Sequence, residues 1–231
     1  MPDSAPNARE LAHREMERRI LDAARRHLAE VGPAQLSLRA VARDLGLASS
    51  AVYRYVSSRE DLITRLILQS YAELAEAAEQ ATAAADPAPI AQWTAWALTM
   101  REWALARPYD WALIYGTPIP GYAAPQDTVE PATRVVAPVL RVVAATVPEL
   151  GPEDAQTAAA LSPLVTAVGQ FDGGVELGRG AAYAMMAAWS AVHGFINLEL
   201  GGHFVGVLSD PAPVYRTLVR RTAQDLGLAP A

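Results

Sequence analysis

Residues 36–62 read LSLRAVARDLGLASSAVYRYVSSREDL. Ser37 stands where a helix N-cap belongs, and Leu38, Val41, Ala42 and Leu45 then fall on one helical face. Gly46 closes this short helix, and Leu47 is the apolar residue expected to plug the turn. A second short helix, over about 49–56, follows almost at once. Val52 and Val56 suit its inner face, while Ser49, Ser50, Tyr53 and Arg54 suit its outer one. Two short helices across a tight Gly-containing turn make a helix-turn-helix, whose second helix enters a major groove about 12 Å wide. Ser58-Arg-Glu-Asp61 then reads as a capping box with Asp in place of Glu or Gln.

The flanking segments supply the braces. Upstream, Met16, Ile20, Ala23, Ala24, His27, Leu28 and Val31 share one face of a helix that Gly32-Pro33 ends. Downstream, Ile63, Ile67, Tyr71, Leu74 and Ala78 line a long helix opened by the capping box. The candidate DNA contacts are Ser37, Arg39, Ser49, Ser50, Tyr53, Arg54, Tyr55 and Arg59. Of these, Ser37, the Tyr53 hydroxyl and Arg59 are expected to meet phosphates. Arg18, Arg25 and Arg26 read as surface charges or partners of acids, and His27 as a core or boundary residue.

Charge divides the chain in two. Its 231 residues carry a net charge of −6, which taken alone argues against nucleic acid. From Arg9 to Arg65, however, 11 Arg face 8 acids, whereas from Leu66 onward 8 Arg face 16. A mildly basic head on an acidic body is the reading. The polar residues 1–9 read as a disordered tail, 10–73 as the head (motif about 36–55) and 74–231 as the body. The absence of Cys excludes a disulfide scaffold, a thiolate metal site and cysteine catalysis. The opening MPDSAPNARE has no apolar signal-peptide core, so a cytoplasmic address is expected.

The body reads as helix after helix, over about 89–106, 109–116, 127–147, 153–171, 178–200 and 211–227, with no confident strand. The fold class is all-α: an N-terminal three-helix DNA-binding domain plus a larger helical domain for ligand binding and dimerisation. All five Trp lie after residue 90. Trp93, Trp96, Met100 and Trp103 recur on one helix face with Trp111 and Tyr115 close behind, a stripe able to wall an apolar pocket. His193 and Asn197 are the polar candidates for the same ligand. Ala184, Ala187, Ala191, Gly194 and Leu198 form a seam of mostly small residues suited to close helix approach, the expected dimer interface. The run 180–198 carries no formal charge, but its Ala, Gly, Ser190, His193 and Asn197 make a poor membrane span. Glu199 and His203 lack a third ligand, so no metal is expected.

The head, with ILDAARRHLAEVG before it, resembles the DNA-binding domain of the TetR family of transcriptional repressors over about residues 13–73. Three departures stand out: Ala48 where many members have a capping Ser, Val56 for Phe and Arg59 for Lys. Ser49 or Ser50 is then expected to take over the cap. In the body, RPYDWALIYGTPIPGYAAP at 107–125 and Trp189-Ser-Ala-Val-His193-Gly194 resemble the C-terminal domain of a branch named for its Trp, His and Gly. That resemblance implies a regulatory domain that binds a small molecule and forms the dimer.

The expected function is therefore a sequence-specific DNA-binding regulator, a repressor released from its operator by a small apolar ligand. Its partners would be double-stranded operator DNA, a second copy of itself and that unidentified effector, with no other cofactor and no membrane. An architectural DNA binder without a ligand is the alternative. An all-α enzyme would need a nucleophile–base pair or paired carboxylates, and neither is recognisable.

Overall fold

The computed structural model describes residues 7–146, 155–171 and 177–228. Among these, all regular structure is helical, as the sequence predicts. α1 (Ala8–Val31) leads to a 3-10 turn at Pro33–Gln35, then α2 (Leu38–Asp44), α3 (Ser49–Val52) and α4 (Arg59–Ala84). α5 (Pro89–Ala106), α6 (Pro108–Tyr115), α7 (Val129–Thr146), α8 (Ala155–Phe171), α9 (Arg179–Leu200) and α10 (Pro211–Asp225) follow. The expected ends of the seventh and eighth helices, at 147 and 153, lie outside the described residues.

α1 starts inside the stretch expected to be a disordered tail. The Asn7 side chain accepts from the Arg9 and Glu10 N–H groups at 3.0 Å each, and the Glu10 carboxylate accepts from the Asn7 N–H at 3.1 Å. This reciprocal cap satisfies donors that a helix start otherwise leaves orphaned. Residues 1–6 of the expected tail lie outside the described residues.

The chain forms two compact units. One joins Met1–Ser70 to Tyr109–Thr128; the other joins Tyr71–Pro108 to Val129–Ala231. The compact units differ from the division expected from sequence, at 73/74, in that 109–128 pack with the head. Three contacts hold that segment there. Buried Asp110 accepts the Ser70 hydroxyl at 3.0 Å and lies 3.0 Å from Arg25 Nε. The Thr64 and Tyr122 hydroxyls are hydrogen-bonded at 3.0 Å. None of these partners is adjacent in sequence, so periodicity does not reveal them.

The head's core collects predicted inward residues: Ile20, Ala24 and Leu28 of α1, Val41 and Ala42 of α2, Val52 and Val56, and Ile63 and Ile67 of α4 are all buried, joined by Leu62 and Leu66, which the predicted face of α4 leaves out. In the second unit α5 packs on α7, α9 and α10. Trp93 and Trp96 are fully buried there, with ring centroids 5.2 Å apart. Their indole N–H groups are satisfied inside the core. Trp93 donates to the Val219 carbonyl and Thr222 hydroxyl at 3.2 and 3.1 Å, and Trp96 to the Val135 carbonyl at 2.8 Å. At roughly 25 cal/mol per Å2, burying about 200 Å2 of each ring contributes on the order of 5 kcal/mol before entropy is counted.

Candidate nucleic-acid interface

The turn between α2 and α3 is built as the sequence implies. Gly46 has φ +67°, a left-handed conformation that a Cβ disfavours, so glycine is needed here. The Gly46 and Leu47 N–H groups donate to the carbonyls of Arg43 and Ala42 at 3.1 and 2.8 Å, closing the end of α2. Leu47 is half-buried. Past Val52 the recognition helix tightens: the Tyr55 N–H reaches the Val52 carbonyl at 2.9 Å, and the Val56 N–H shares it at 3.1 Å. Regular helix therefore stops at Val52 and not near 56, because buried Val56 draws the chain back toward the core.

Two capping expectations are corrected. Ala48 is itself the N-cap of α3 and neither Ser49 nor Ser50 bonds across it, so this helix has no side-chain cap. Ser37 occupies the N-cap position of α2 but caps no N–H. At the start of α4, Ser58 Oγ accepts from the Asp61 N–H at 3.1 Å, as a capping box requires. The return arm lands one residue early: the Asp61 carboxylate accepts from the Ser57 N–H at 2.8 Å and the Ser57 hydroxyl at 2.9 Å.

Of the eight candidate DNA contacts, Arg39, Ser50, Tyr53 and Arg54 are exposed, while Ser37, Ser49, Tyr55 and Arg59 are partly covered. Arg59 is not poised for a phosphate. Its Nε donates to the Leu36 carbonyl at 3.0 Å, and one Nη donates to the carbonyls of Pro33 and Ala34 at 2.9 and 3.0 Å. It ties α4 to the turn before α2. Tyr55 turns sideways, its ring 4.7 Å from that of His13 on α1.

The other arginines fall into two groups. Arg18 pairs with Glu15 and Asp22, Arg26 with Asp44, Arg25 with Asp110, and Arg65 with Glu17 and Asp61. Arg18, Arg25 and Arg26 thus have the acidic partners expected of them. Arg9, Arg14, Arg19, Arg39, Arg43 and Arg54 are exposed and have no ion pair among the described residues. Positive charge that acids do not cancel is what counterion release from DNA requires. Sequence reasoning misses Arg9 and Arg14: a polar, Pro-containing start reads as tail, and nothing local places α1 beside the recognition segment.

The ligand candidates are dispersed. Trp93, Trp96 and Met100 are sealed in the core of the second unit, and Trp103 is nearly so. Trp111 and Tyr115 belong to the head, their rings 4.6 Å apart. His193 is buried while Asn197, one turn further along α9, is exposed. A groove of about 650 Å3 opens elsewhere in the second unit, and none of these eight residues lines it. Its walls come from the end of α4, the start of α5 and α7, including Thr82, Gln92, Pro138, Val142 and Ala145. The signal for it is partial: Pro87 and Pro89 stand between α4 and the first turn of α5, whereas Pro138 lies inside α7, which runs on through it.

His193 Nδ1 lies 2.9 Å from the Trp189 carbonyl, an acceptor only, so Nδ1 carries the proton. Its ring stacks on Trp189 at 3.9 Å. Burial pushes the imidazole down to about 4, the carbonyl bond offsetting this only in part. Arg101 grips Glu199 with two bonds of 2.7 and 2.6 Å, which raises the guanidinium pKa further and commits Glu199 away from any metal. Among the described residues no group of His, Asp and Glu is arranged to hold a metal, and no helix is long and apolar enough to cross a membrane. Along α9, Ala187 and Leu198 are exposed and Ala184, Ala191 and Gly194 half-buried. A Cβ at Gly194 would meet nothing within 4 Å.

Known proteins share this arrangement. Residues 20–66 match the family described as bacterial regulatory proteins, tetR family, and residues 93–222 match the tetracyclin repressor-like C-terminal domain. The HTH-type transcriptional regulator Rv1816 of Mycobacterium tuberculosis is 37% identical over 217 residues, covering 90% of this chain and 91% of that one. Regulator Mb1846 of Mycobacterium bovis matches equally. Among solved structures, regulatory protein SCO4313 superposes with a TM-score of 0.80 at 30% identity, over 95% of this chain and 100% of the other. The TetR family regulator PfmR from Thermus thermophilus, at 18% identity, a TM-score of 0.57 and coverage of 89% and 97%, shares the fold. With the helix-turn-helix in place and both domains matched, the chain belongs to the TetR family of DNA-binding transcriptional regulators.

Proposed function

We propose that the protein is a homodimeric repressor released from its operator by a small, largely apolar, neutral or cationic molecule held in the second unit. The supporting observation is the groove of about 650 Å3, a volume suited to a small organic ligand. Ala83, Ala85, Pro87, Pro89, Pro138, Val142 and Ala145 give it mainly apolar walls. Two charged side chains of opposite sign, Glu79 and Arg141, line the groove, so its walls carry no net charge to favour an anion. The groove takes over the role expected of the Trp stripe. Dimerisation falls to the outer face of α9, where Tyr183, Met186, Ala187 and Leu198 are exposed without a formal charge among them. α4 belongs to both units, so an effector touching its last turn near Thr82 acts on the helix that starts in the head. A ligand shifts that equilibrium only by its differential affinity for the two states.

The test pairs two readouts on one sample. A duplex is first selected from a random-sequence library by the purified protein. Neutral and quaternary-ammonium aromatic compounds are then screened for thermal stabilisation and for loss of duplex binding. Ala145→Trp, which fills the groove, should abolish both ligand effects and keep DNA affinity. A compound that stabilises the protein strongly yet leaves DNA affinity untouched would refute the coupling.

A further inference from the structure

A second cavity, of about 850 Å3, lies in the head between the first turns of α1 and the end of the recognition segment. Arg9 and Arg14 come from α1, and Arg54 and Tyr55 from just past α3. All three arginines are exposed and none has an ion pair among the described residues. Two acids share the cleft, and both are occupied. Glu10 accepts from the Asn7 backbone N–H and side-chain amide at 3.1 Å each, and Glu17 lies 3.0 Å from an Arg65 nitrogen. His13 and Tyr55, with rings 4.7 Å apart, join the two walls and make Arg9, Arg14 and Arg54 one surface.

We propose that this cleft takes the sugar–phosphate backbone of duplex DNA flanking the bases read by the helix-turn-helix. The inference rests on the head being the DNA-binding unit and extends its footprint. Guanidinium groups bind phosphate oxygens with two parallel N–H donors, and three of them around one cavity match a polyanion better than a single small anion. Continuity fixes the partner: Arg54 and Tyr55 belong to the segment that enters the groove, so DNA seated there runs past the α1 wall. Phosphate contacts of this kind position the protein and carry no base information.

The experiment compares wild type with Arg9→Ala/Arg14→Ala on the selected duplex, once with long flanks and once with the flanks trimmed, across a range of salt. Losing two phosphate contacts should lower the log–log salt slope by about 2 and weaken binding to the flanked duplex about tenfold. Trimming should cost the wild type a similar factor and leave the double variant unaffected. Arg9→Lys/Arg14→Lys should keep most of the slope. Because both side chains are exposed and outside any ion pair among the described residues, the thermal midpoint should stay put. A double variant with wild-type slope and affinity on the flanked duplex overturns the proposal, as does a loss that is equal on both duplexes. If the wild type selects no sequence, the operator-binding repressor reading fails instead, and the slopes measured on a mixed-sequence duplex still decide the cleft.

Discussion

Arg59 donates its Nε–H to the Leu36 carbonyl at 3.0 Å, locking the first turn of α4 onto the segment that enters α2. With the bonds to Pro33 and Ala34, one side chain reaches three backbone carbonyls, of which that of Pro33 also accepts the Leu36 N–H at 3.5 Å. Arg59→Ala should therefore lower stability by about 2–4 kcal/mol, since hydrogen bonds to charged groups are each worth about 1.5–3 kcal/mol and partial compensation by water is expected. Arg59→Lys should recover little, because a single ammonium cannot span the same fork. Denaturant unfolding measures both variants; an unchanged midpoint would remove the clamp role.

Tyr53 offers the opposite behaviour. It is 49% exposed and follows α3 directly. Tyr53→Ala should weaken binding to the selected duplex about five- to thirtyfold, the loss of one or two contacts worth about 1 kcal/mol each. Its thermal midpoint should match wild type. Fluorescence anisotropy and a melting curve together separate this from the effect at Arg59.

Ala187 is exposed in the middle of the uncharged face of α9. An Arg there would place a charge without a partner at the centre of a subunit contact, costing several kcal/mol. Ala187→Arg should sediment as a monomer and lose operator affinity together. A dimeric Ala187→Arg that binds DNA normally would move the interface off this helix.

His193 ties stability to pH. Its folded-state value is depressed to about 4 from 6.5, so on acidification the unfolded chain takes up the proton first. Stability from this group is full above about 6.5 and is lost progressively as pH falls from there toward about 4. At pH 5.5 the loss should be about 1.4 kcal/mol, one pH unit below the unfolded value. His193→Phe keeps the stack on Trp189 and should flatten this part of the profile. Chemical unfolding at pH 7.5 and 5.5 for both proteins gives the difference; equal slopes would mean that the imidazole is not shielded.

Arg101 and Glu199 form a largely covered pair, and the guanidinium lies 5.6 Å from the Tyr215 ring centroid. Arg101→Met alone should cost about 2–4 kcal/mol because Glu199 is left without its partner, while Arg101→Met/Glu199→Leu should regain most of it. A double-mutant cycle checks this. Additive losses would show that the two residues stabilise the protein independently.

The helical class, the position of the helix-turn-helix and most helix boundaries are legible in the chain before it folds. Those features are local: an apolar face repeats every three to four residues, Gly46 terminates α2, and Gly32-Pro33 terminates α1. The inward partners Val52 and Val56 and the acidic partners of Arg18 follow from the same periodicity. How polar and aromatic side chains are used depends instead on packing. Arg59 reads as a phosphate contact until the carbonyls of Pro33, Ala34 and Leu36 are brought to it from more than twenty positions away. Trp93 and Trp96 read as pocket walls until Val219, Thr222 and Val135 close over their indole N–H groups. Asp110 joins the head through Arg25 and Ser70, and the groove arises where Pro138 of α7 meets the end of α4. Periodicity records which side of its own helix a residue faces; what stands opposite depends on how distant segments pack, and no local pattern encodes that.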